Sequence, residues 1–387
     1  MEINKNKSDN PWCGRLVAIT FLLLIIAGAV FSILAPKRKF SENENRFLQQ
    51  MPDLNLKTFF DGTFESEYET YVTDQFVLRD DWIALKTNVE RLLQKKDING
   101  VYFAKDDYLI ERHEANQVNE EQAQKNIDRL TEFMNGAIAK LGEDRVHAML
   151  VPTASEILTD KLPAFATGYD QQAVIEEVKQ RVPEASVVDV TDTLKEHSDE
   201  YIYYKTDHHW TTLGAYYAYE AWAKTAGFEP FSREEFEVEM ATDEFYGTIA
   251  SKVNVSVKPD EMYLYKKLGN PLYKVEYNQT ETTDSLYNYD RLDTKDKYSV
   301  YLNGNNALVK ITSENKNGRK LLVIKDSFAH CFVPFLVDHY EEVYMIDFRY
   351  FRMGVSQFME QEGVTDVLVL YNVMGFVEDI NTLTFIR

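Results

Sequence analysis

The segment Asp207-His208-His209-Trp210 places a carboxylate and two imidazoles side by side, directly before a stretch with helical spacing. An Asp two residues before a His can accept one ring N–H, which fixes the tautomer and stabilises the imidazolium. The segment is also compatible with a polar turn or with a zinc site. Zinc needs a third ligand at a recognisable spacing, and none lies nearby, so we expect no metal and no cofactor.

A second segment ends an apolar run with an acid and a hydroxyl. Residues 321–325 have the pattern of a buried strand, and Asp326-Ser327 leads directly into a predicted helix. Ser327 would then lie at the carboxyl edge of the sheet, where its N–H and the helix dipole can stabilise an oxyanion. The alternative is that Asp326 or Ser327 only caps the helix. The two segments together indicate nucleophilic chemistry more strongly than either does alone.

Short apolar runs alternate with helical patterns over the part of the chain that carries both segments. This alternation predicts an α/β fold with a mostly parallel sheet that is covered by helices on both faces. Catalytic sites of such sheets lie at the carboxyl ends of the strands. The predicted strands are 146–151, 186–190, 321–325, 343–347 and 367–371, and the predicted helices are 120–141, 171–181, 211–226, 329–338 and 354–362.

Residues 228–312 interrupt this alternation with a polar, β-rich insertion. Of the 24 Tyr residues, 15 lie between Tyr201 and Tyr301. Tyrosines so concentrated either pack as amphipathic strand residues or line a carbohydrate groove, where rings stack on sugars. The composition leaves both readings open.

Residues 16–36 contain an apolar run long enough to cross a bilayer, between a tail at 1–15 and a polar stalk at 37–60. We expect an uncleaved anchor rather than a signal peptide, because the end of the run lacks small-x-small character. Basic residues flank both sides, so charge alone does not orient it. The net charge of −21 argues against binding nucleic acid, and two Cys provide no disulfide framework.

Asp207-His208-His209-Trp210 together with Lys325-Asp326-Ser327-Phe328 resembles the DHHW family of Gram-positive bacteria, which is similar to the SGNH-like alginate O-acetylation proteins. The resemblance extends over nearly everything after the anchor, including residues 41–46, 74–80, 99–102 and 366–372. It implies an SGNH-hydrolase-like three-layer α/β/α catalytic domain over residues 61–387. Lys325 stands where those relatives carry Gly, a difference that would alter the turn at the nucleophile or place a positive charge beside the site.

By this resemblance Ser327 is the nucleophile, His209 the base and Asp207 the acid that orients it, in the order of the alginate-type relatives. Trp210 would pack against the loop that carries His209, with His208, Lys325 and Asp326 in support. Candidate oxyanion donors fall into two groups: Gly304 with Asn305, and Tyr371 with Asn372.

The resemblance implies a membrane-anchored extracellular O-acetyltransferase that acts on a cell-surface or secreted polysaccharide. It also implies a polytopic membrane acyltransferase as the partner that supplies acetyl groups. Two alternatives stay open: an acetylesterase of the same fold, and a glycan-binding or scaffold protein without catalysis.

Overall fold

The computed structural model describes residues 11–41, 46–253 and 255–386. Most of the predicted tail, and residues 42–45 of the segment 41–46, therefore lie outside the described residues. The chain divides into two compact units, residues 1–89 and 90–387. The boundary predicted at residue 60 between stalk and catalytic domain stays a prediction.

The first unit begins with helix α1 (Pro11–Leu34), which is 24 residues long. Most of its described side chains are exposed apolar residues, and its length suffices to cross a bilayer. The helix fits a membrane anchor or a signal peptide. The other elements that begin in this unit are β1 (Phe40–Ser41), β2 (Arg46–Phe47), α2 (Leu56–Phe60), α3 (Thr63–Asp74) and α4 (Arg79–Leu92).

The second unit contains the site residues. Its strands are β3 (Asp97–Ile98), β4 (Val101–Phe103), β5 (Leu109–Glu111), β6 (Val146–Val151), β7 (Phe236–Phe245), β8 (Asp260–Lys267), β9 (Lys274–Tyr277), β10 (Glu281–Thr283), β11 (Leu308–Thr312), β12 (Lys320–Lys325), β13 (Glu342–Ile346) and β14 (Asp366–Asn372). Its α-helices are α5 (Glu120–Leu141), α6 (Ala154–Ile157), α7 (Gln171–Lys179), α8 (Thr191–Glu196), α9 (Thr212–Thr225), α10 (Thr248–Val253), α11 (Ala329–Phe332), α12 (Val355–Glu362) and α13 (Val373–Glu378).

The central sheet has the order β10-β9-β11-β13-β12-β14-β6. Strands β13, β12, β14 and β6 are parallel, whereas β11, β9 and β10 are added antiparallel at one side. The sheet is therefore mixed, and the prediction of a mostly parallel sheet is correct only for its β13–β6 half. The antiparallel strands come from the segment predicted as an insertion, and short connections such as the turn between β9 and β10 can join only antiparallel neighbours.

Alternate residues of the parallel strands enter two separate cores. In β12, Leu321 and Val323 belong to one core, and Leu322 and Ile324 belong to the other. Helices α9 and α11 contribute to the first core, and α5, α7, α12 and α13 contribute to the second. Helices thus cover both faces of the sheet, as the alternation of strands and helices predicts.

Two predicted elements are wrong. Residues 186–190 do not form a strand: only Val187 bridges β6, at Ala148, because a turn at Glu184–Ser186 and the start of α8 leave too few residues for a ladder. The helix predicted at 329–338 ends after one turn at Phe332 and continues as 3-10 turns. Pro334 has no N–H for an α-helical hydrogen bond at this point.

Much of the tyrosine-rich segment is core. Strands β7 and β8 pair as a ribbon outside the central sheet, while β9, β10 and β11 belong to that sheet. Nine of its tyrosines are buried, which favours the packing interpretation over an aromatic groove. These are Tyr203, Tyr204, Tyr216, Tyr217, Tyr219, Tyr265, Tyr277, Tyr298 and Tyr301.

Candidate active site

The Asp-His-His-Trp segment lies in a tight loop before α9. Tyr203 and Trp210 form a β-bridge across the loop, and Thr211 caps α9 by accepting the N–H of Gly214. Asp260, the first residue of β8, accepts hydrogen bonds from the N–H of Lys205 at 2.8 Å and from the N–H and hydroxyl of Thr206 at 2.7 and 2.6 Å. This buried carboxylate fixes the loop directly before Asp207.

The second segment lies where β12 ends, at the carboxyl edge of the sheet. One oxygen of Asp326 accepts the N–H of Phe328 at 2.8 Å, and the other accepts the N–H of Asn372 at 2.7 Å. Burial raises the pKa of Asp326 to about 6, although both N–H groups favour its charged form. These hydrogen bonds tie the turn around Ser327 to the end of β14.

Asp207, His209 and Ser327 form one continuous hydrogen-bonded chain. His209 Nδ1 is 2.5 Å from Asp207 Oδ1, and His209 Nε2 is 2.7 Å from Ser327 Oγ. Because an ionised carboxylate only accepts, His209 carries its proton on Nδ1 and accepts the Ser327 hydroxyl proton at Nε2. The two loops, 118 residues apart in sequence, thus meet in the geometry of a nucleophile, a base and an orienting acid.

Asp207 is completely enclosed by donors. Its second oxygen accepts the N–H of Thr248 at 2.8 Å and the Thr248 hydroxyl at 3.1 Å. Burial opposes its ionisation, but His208, His209 and the Thr248 N–H outweigh this effect and hold the pKa of Asp207 well below its ordinary value. Gly247 permits this contact, because a Cβ there would lie 2.2 Å from the Cβ of Asp207.

His209 is buried against aromatic rings. The Tyr298 ring stacks on the imidazole at a centroid distance of 3.8 Å and an angle of 12°, and the Phe328 ring lies 5.3 Å away. Burial, together with His208, lowers the pKa of His209 to about 4, although Asp207 favours the charged form. The imidazole is therefore a free base at neutral pH, which is the form a general base requires.

Trp210 connects the two segments. Its indole N–H donates to the carbonyl of Phe328 at 2.9 Å, and the ring packs on Phe328 and Phe332 with no exposed surface. Its position fits a residue that holds the loop of His209.

Lys325 is buried at the end of β12. Its amine contacts His330 Nε2 at 2.7 Å and Asp347 Oδ2 at 3.3 Å, and Arg349 also pairs with Asp347. Burial lowers the pKa of Lys325, although Asp347 favours its charge. The amine is thus held by its own ion pair, and no hydrogen bond joins it to Ser327 among the residues that the structure describes.

The four oxyanion candidates differ in their surroundings. The Asn305 side chain accepts from Arg349 at 2.9 Å, and Gly304 packs on Ser299. Tyr371 belongs to the core on the opposite face from α9, whereas the Asn372 amide donates to Asp326 at 2.6 Å. Asn372 is therefore the candidate that contacts the Asp-Ser turn.

The N–H of Ser327 itself has no acceptor within the described ranges of the chain and is therefore free to donate to an oxygen bound beside Ser327. The helix dipole expected to assist it contributes little, since α11 is a single turn.

One ligand atom each from Asp207, His208 and His209 lies within 4.8 Å of the others. A metal here would compete with existing hydrogen bonds, because both ring nitrogens of His209 and both oxygens of Asp207 are already engaged. The donor set therefore fits a hydrogen-bonded chain of acid, base and hydroxyl better than a metal site.

Sequence patterns gave no indication of Gly247, Thr248, Asp260 or Tyr298. All four come from the segment predicted as an insertion, and their contacts with Asp207, Thr206 and His209 are long-range. The clustering of tyrosines was the one available signal, and it pointed to the region without identifying Tyr298.

A model of the DHHW protein family matches residues 124–346, more than half of the chain. None of the curated proteins matches significantly. Among solved structures, the chain is similar to a DHHW family protein from Eubacterium siraeum, with 26% identity, a TM-score of 0.62, and coverage of 75% of this chain and 95% of that one.

Bacillus cereus PatB1 with a sulfonyl adduct shares 21% identity and a TM-score of 0.59, over 74% of this chain and 99% of its own. This likeness shows a common fold. The O-acetyltransferase domain of Pseudomonas putida AlgJ shares 12% identity and a TM-score of 0.41, over 72% of this chain and 93% of its own.

The contact of Gly247 with Asp207 can be tested by Gly247→Ala. The added methyl displaces Asp207 from His209, at a stability cost of roughly 1–3 kcal/mol. In proton NMR we expect a strongly deshielded resonance from the His209–Asp207 N–H in the wild type and its loss in the variant. Gly136→Ala is the matched control, because a Cβ at Gly136 meets nothing within 4 Å; an unchanged resonance in Gly247→Ala would contradict the packing.

Proposed function

Because the chain belongs to the DHHW protein family, we propose that it is an O-acetyltransferase. It takes an acetyl group from a donor ester onto Ser327 and passes it to a hydroxyl of a cell-surface or secreted polysaccharide. The observation that carries this proposal is the buried hydrogen-bonded chain from Asp207 through His209 to Ser327. An SGNH-hydrolase-like classification of the domain belongs to the same proposal.

In the first half-reaction Ser327 Oγ attacks the donor carbonyl while His209 Nε2 takes the hydroxyl proton. Asp207 stabilises the imidazolium that forms. The Ser327 N–H and the Asn372 amide are the proposed donors to the tetrahedral oxyanion. The intermediate collapses when the donor alcohol leaves with the proton from His209, and Ser327 is left acetylated.

In the second half-reaction His209, again neutral, accepts the proton of a sugar hydroxyl. The sugar oxygen attacks the acetyl carbonyl, and Ser327 Oγ leaves and regains its proton from His209. The acetyl group is thus transferred without net change in the enzyme. Transfer exceeds hydrolysis to the extent that the acceptor, rather than water, occupies the space beside the acetyl group.

Placing the catalytic domain outside the cell is part of the proposal. Helix α1 has the length and apolarity of a single membrane span. An acetyl group from a cytoplasmic donor must then cross the membrane before it reaches Ser327. A polytopic membrane acyltransferase is the partner proposed for this step.

Ser327→Ala tests the nucleophile. We expect full-length wild-type protein in detergent to gain one acetyl group from p-nitrophenyl acetate, detected by intact mass spectrometry, and the variant to gain none, because it lacks the attacking oxygen. Ser285→Ala, which changes a partly exposed serine outside the site, should be acetylated like the wild type. Full labelling of Ser327→Ala would remove Ser327 from the mechanism.

The fate of the acetyl group separates a transferase from an esterase. With a transferase, adding cellotetraose as acceptor should divert acetyl groups from free acetate to acetylated sugar, as measured by chromatography. If the sugar leaves the proportion of acetate unchanged while Ser327 still turns over, the protein is an esterase.

The pH dependence of acylation follows from His209. Only its free base can accept the Ser327 proton, and its pKa is lowered to about 4. The rate of acetyl-enzyme formation should therefore be flat through neutral pH and fall only as His209 is protonated in the acidic range. An apparent pKa at or above the ordinary histidine value of about 6.5 would contradict this electrostatic description.

A further inference from the structure

A small cavity of about 40 Å³ lies beside the triad. It is bounded by groups at the carboxyl edge of the sheet, among them His208, Phe328, which follows the nucleophile, and Asn372 at the end of β14. In this measure one water needs roughly 10–15 Å³, so the space is large enough for a small polar group such as a hydroxyl.

The hydrogen-bond role of His208 Nδ1 follows from its partner. His208 Nδ1 lies 2.8 Å from the Thr248 hydroxyl, whose oxygen lies 3.1 Å from Asp207 Oδ2. The hydroxyl has one proton, and the ionised Asp207 can only accept it. Thr248 must therefore accept from His208, so that Nδ1 of His208 is the donor.

In a neutral imidazole that donates from Nδ1, Nε2 is an acceptor. Among the residues that the structure describes, no protein group hydrogen-bonds to His208 Nε2. The His208 side chain is 34% exposed, and its ring centroid lies 3.9 Å from that of His209. The site thus presents a second acceptor nitrogen beside the general base.

We propose that His208 Nε2 binds the acceptor by accepting a hydrogen bond from the hydroxyl next to the one that reacts. The ring centroids of the two imidazoles lie 3.9 Å apart, so two hydroxyls on neighbouring carbons of a sugar ring can each face one of them. One hydroxyl of a vicinal diol can then donate to His209 and the other to His208. The inference rests on the proposed function and adds the substrate class: acceptors with two adjacent hydroxyls.

Two substitutions of His208 separate this role from a merely structural one. An Asn amide falls near the position of Nδ1 and can still donate to Thr248, but it leaves nothing at Nε2. A Gln amide places an oxygen near the position of Nε2 and so keeps an acceptor there. If His208 only holds Thr248, His208→Asn should behave more like the wild type than His208→Gln does. If His208 binds the acceptor, His208→Gln should behave more like the wild type.

The experiment compares trans-1,2-cyclohexanediol with cyclohexanol as acceptors, at equal hydroxyl concentration and with p-nitrophenyl acetate as donor. The readout is the ratio of acetylated alcohol to acetate. One hydrogen bond predicts a preference of the wild type for the diol of roughly three- to tenfold. His208→Asn should abolish the preference, and His208→Gln should retain a measurable part of it. His197→Asn, at a histidine with 32% side-chain exposure outside the site, should keep the full preference.

The outcomes distinguish a failure of the role proposed for His208 from a failure of the proposed acetyl transfer through Ser327. Suppose that acetyl-enzyme forms, but His208→Asn keeps the preference for the diol or shows a larger preference than His208→Gln. The proposed role of His208 is then wrong, whereas the proposed triad stands. The same holds if the wild type transfers equally to both alcohols. If the wild type forms no acetyl-enzyme on Ser327, the proposed function itself fails.

Discussion

The contact between His209 Nε2 and Ser327 Oγ is the interaction on which the whole site depends. At 2.7 Å it joins the loop before α9 to the end of β12. Three further contacts support this distance. Asp260 shapes the first loop through Thr206, Asp326 ties the second to β14, and Trp210 donates from one loop to the carbonyl of Phe328 in the other.

Buried charge around this contact is compensated locally. Asp207 has two donors from Thr248 besides His209, so its ionised form is favoured in spite of burial. Lys325 is neutralised by Asp347 on the same edge of the sheet. A buried ion pair of this kind is weak evidence for stability, but removing one partner leaves an uncompensated charge.

Sequence patterns predicted the strands and helices whose apolar spacing is visible in a short stretch of chain. They failed for strands and site residues whose position depends on contacts between distant parts of the chain. Continuous apolar runs identified β6, β12, β13 and β14, because strands buried on both faces need them. Strands β9, β10 and β11 have polar sequences, so the sequence pattern assigned them to an insertion. They belong to the central sheet because they pair with its other strands. Asp207, His209 and Ser327 could be chosen by residue type and resemblance. Thr248 contacts Asp207 and Tyr298 stacks on His209 only in the folded chain, so neither could be chosen from the sequence.

The most direct measurement is a crystal structure after reaction with phenylmethanesulfonyl fluoride. A nucleophilic hydroxyl displaces fluoride and forms a stable sulfonyl ester, so an activated serine is marked at its oxygen. The mechanism predicts one sulfonyl group on Ser327 Oγ, with His209 still hydrogen-bonded to Asp207. An unmodified Ser327 after prolonged exposure, or a sulfonyl group on another residue alone, would contradict it.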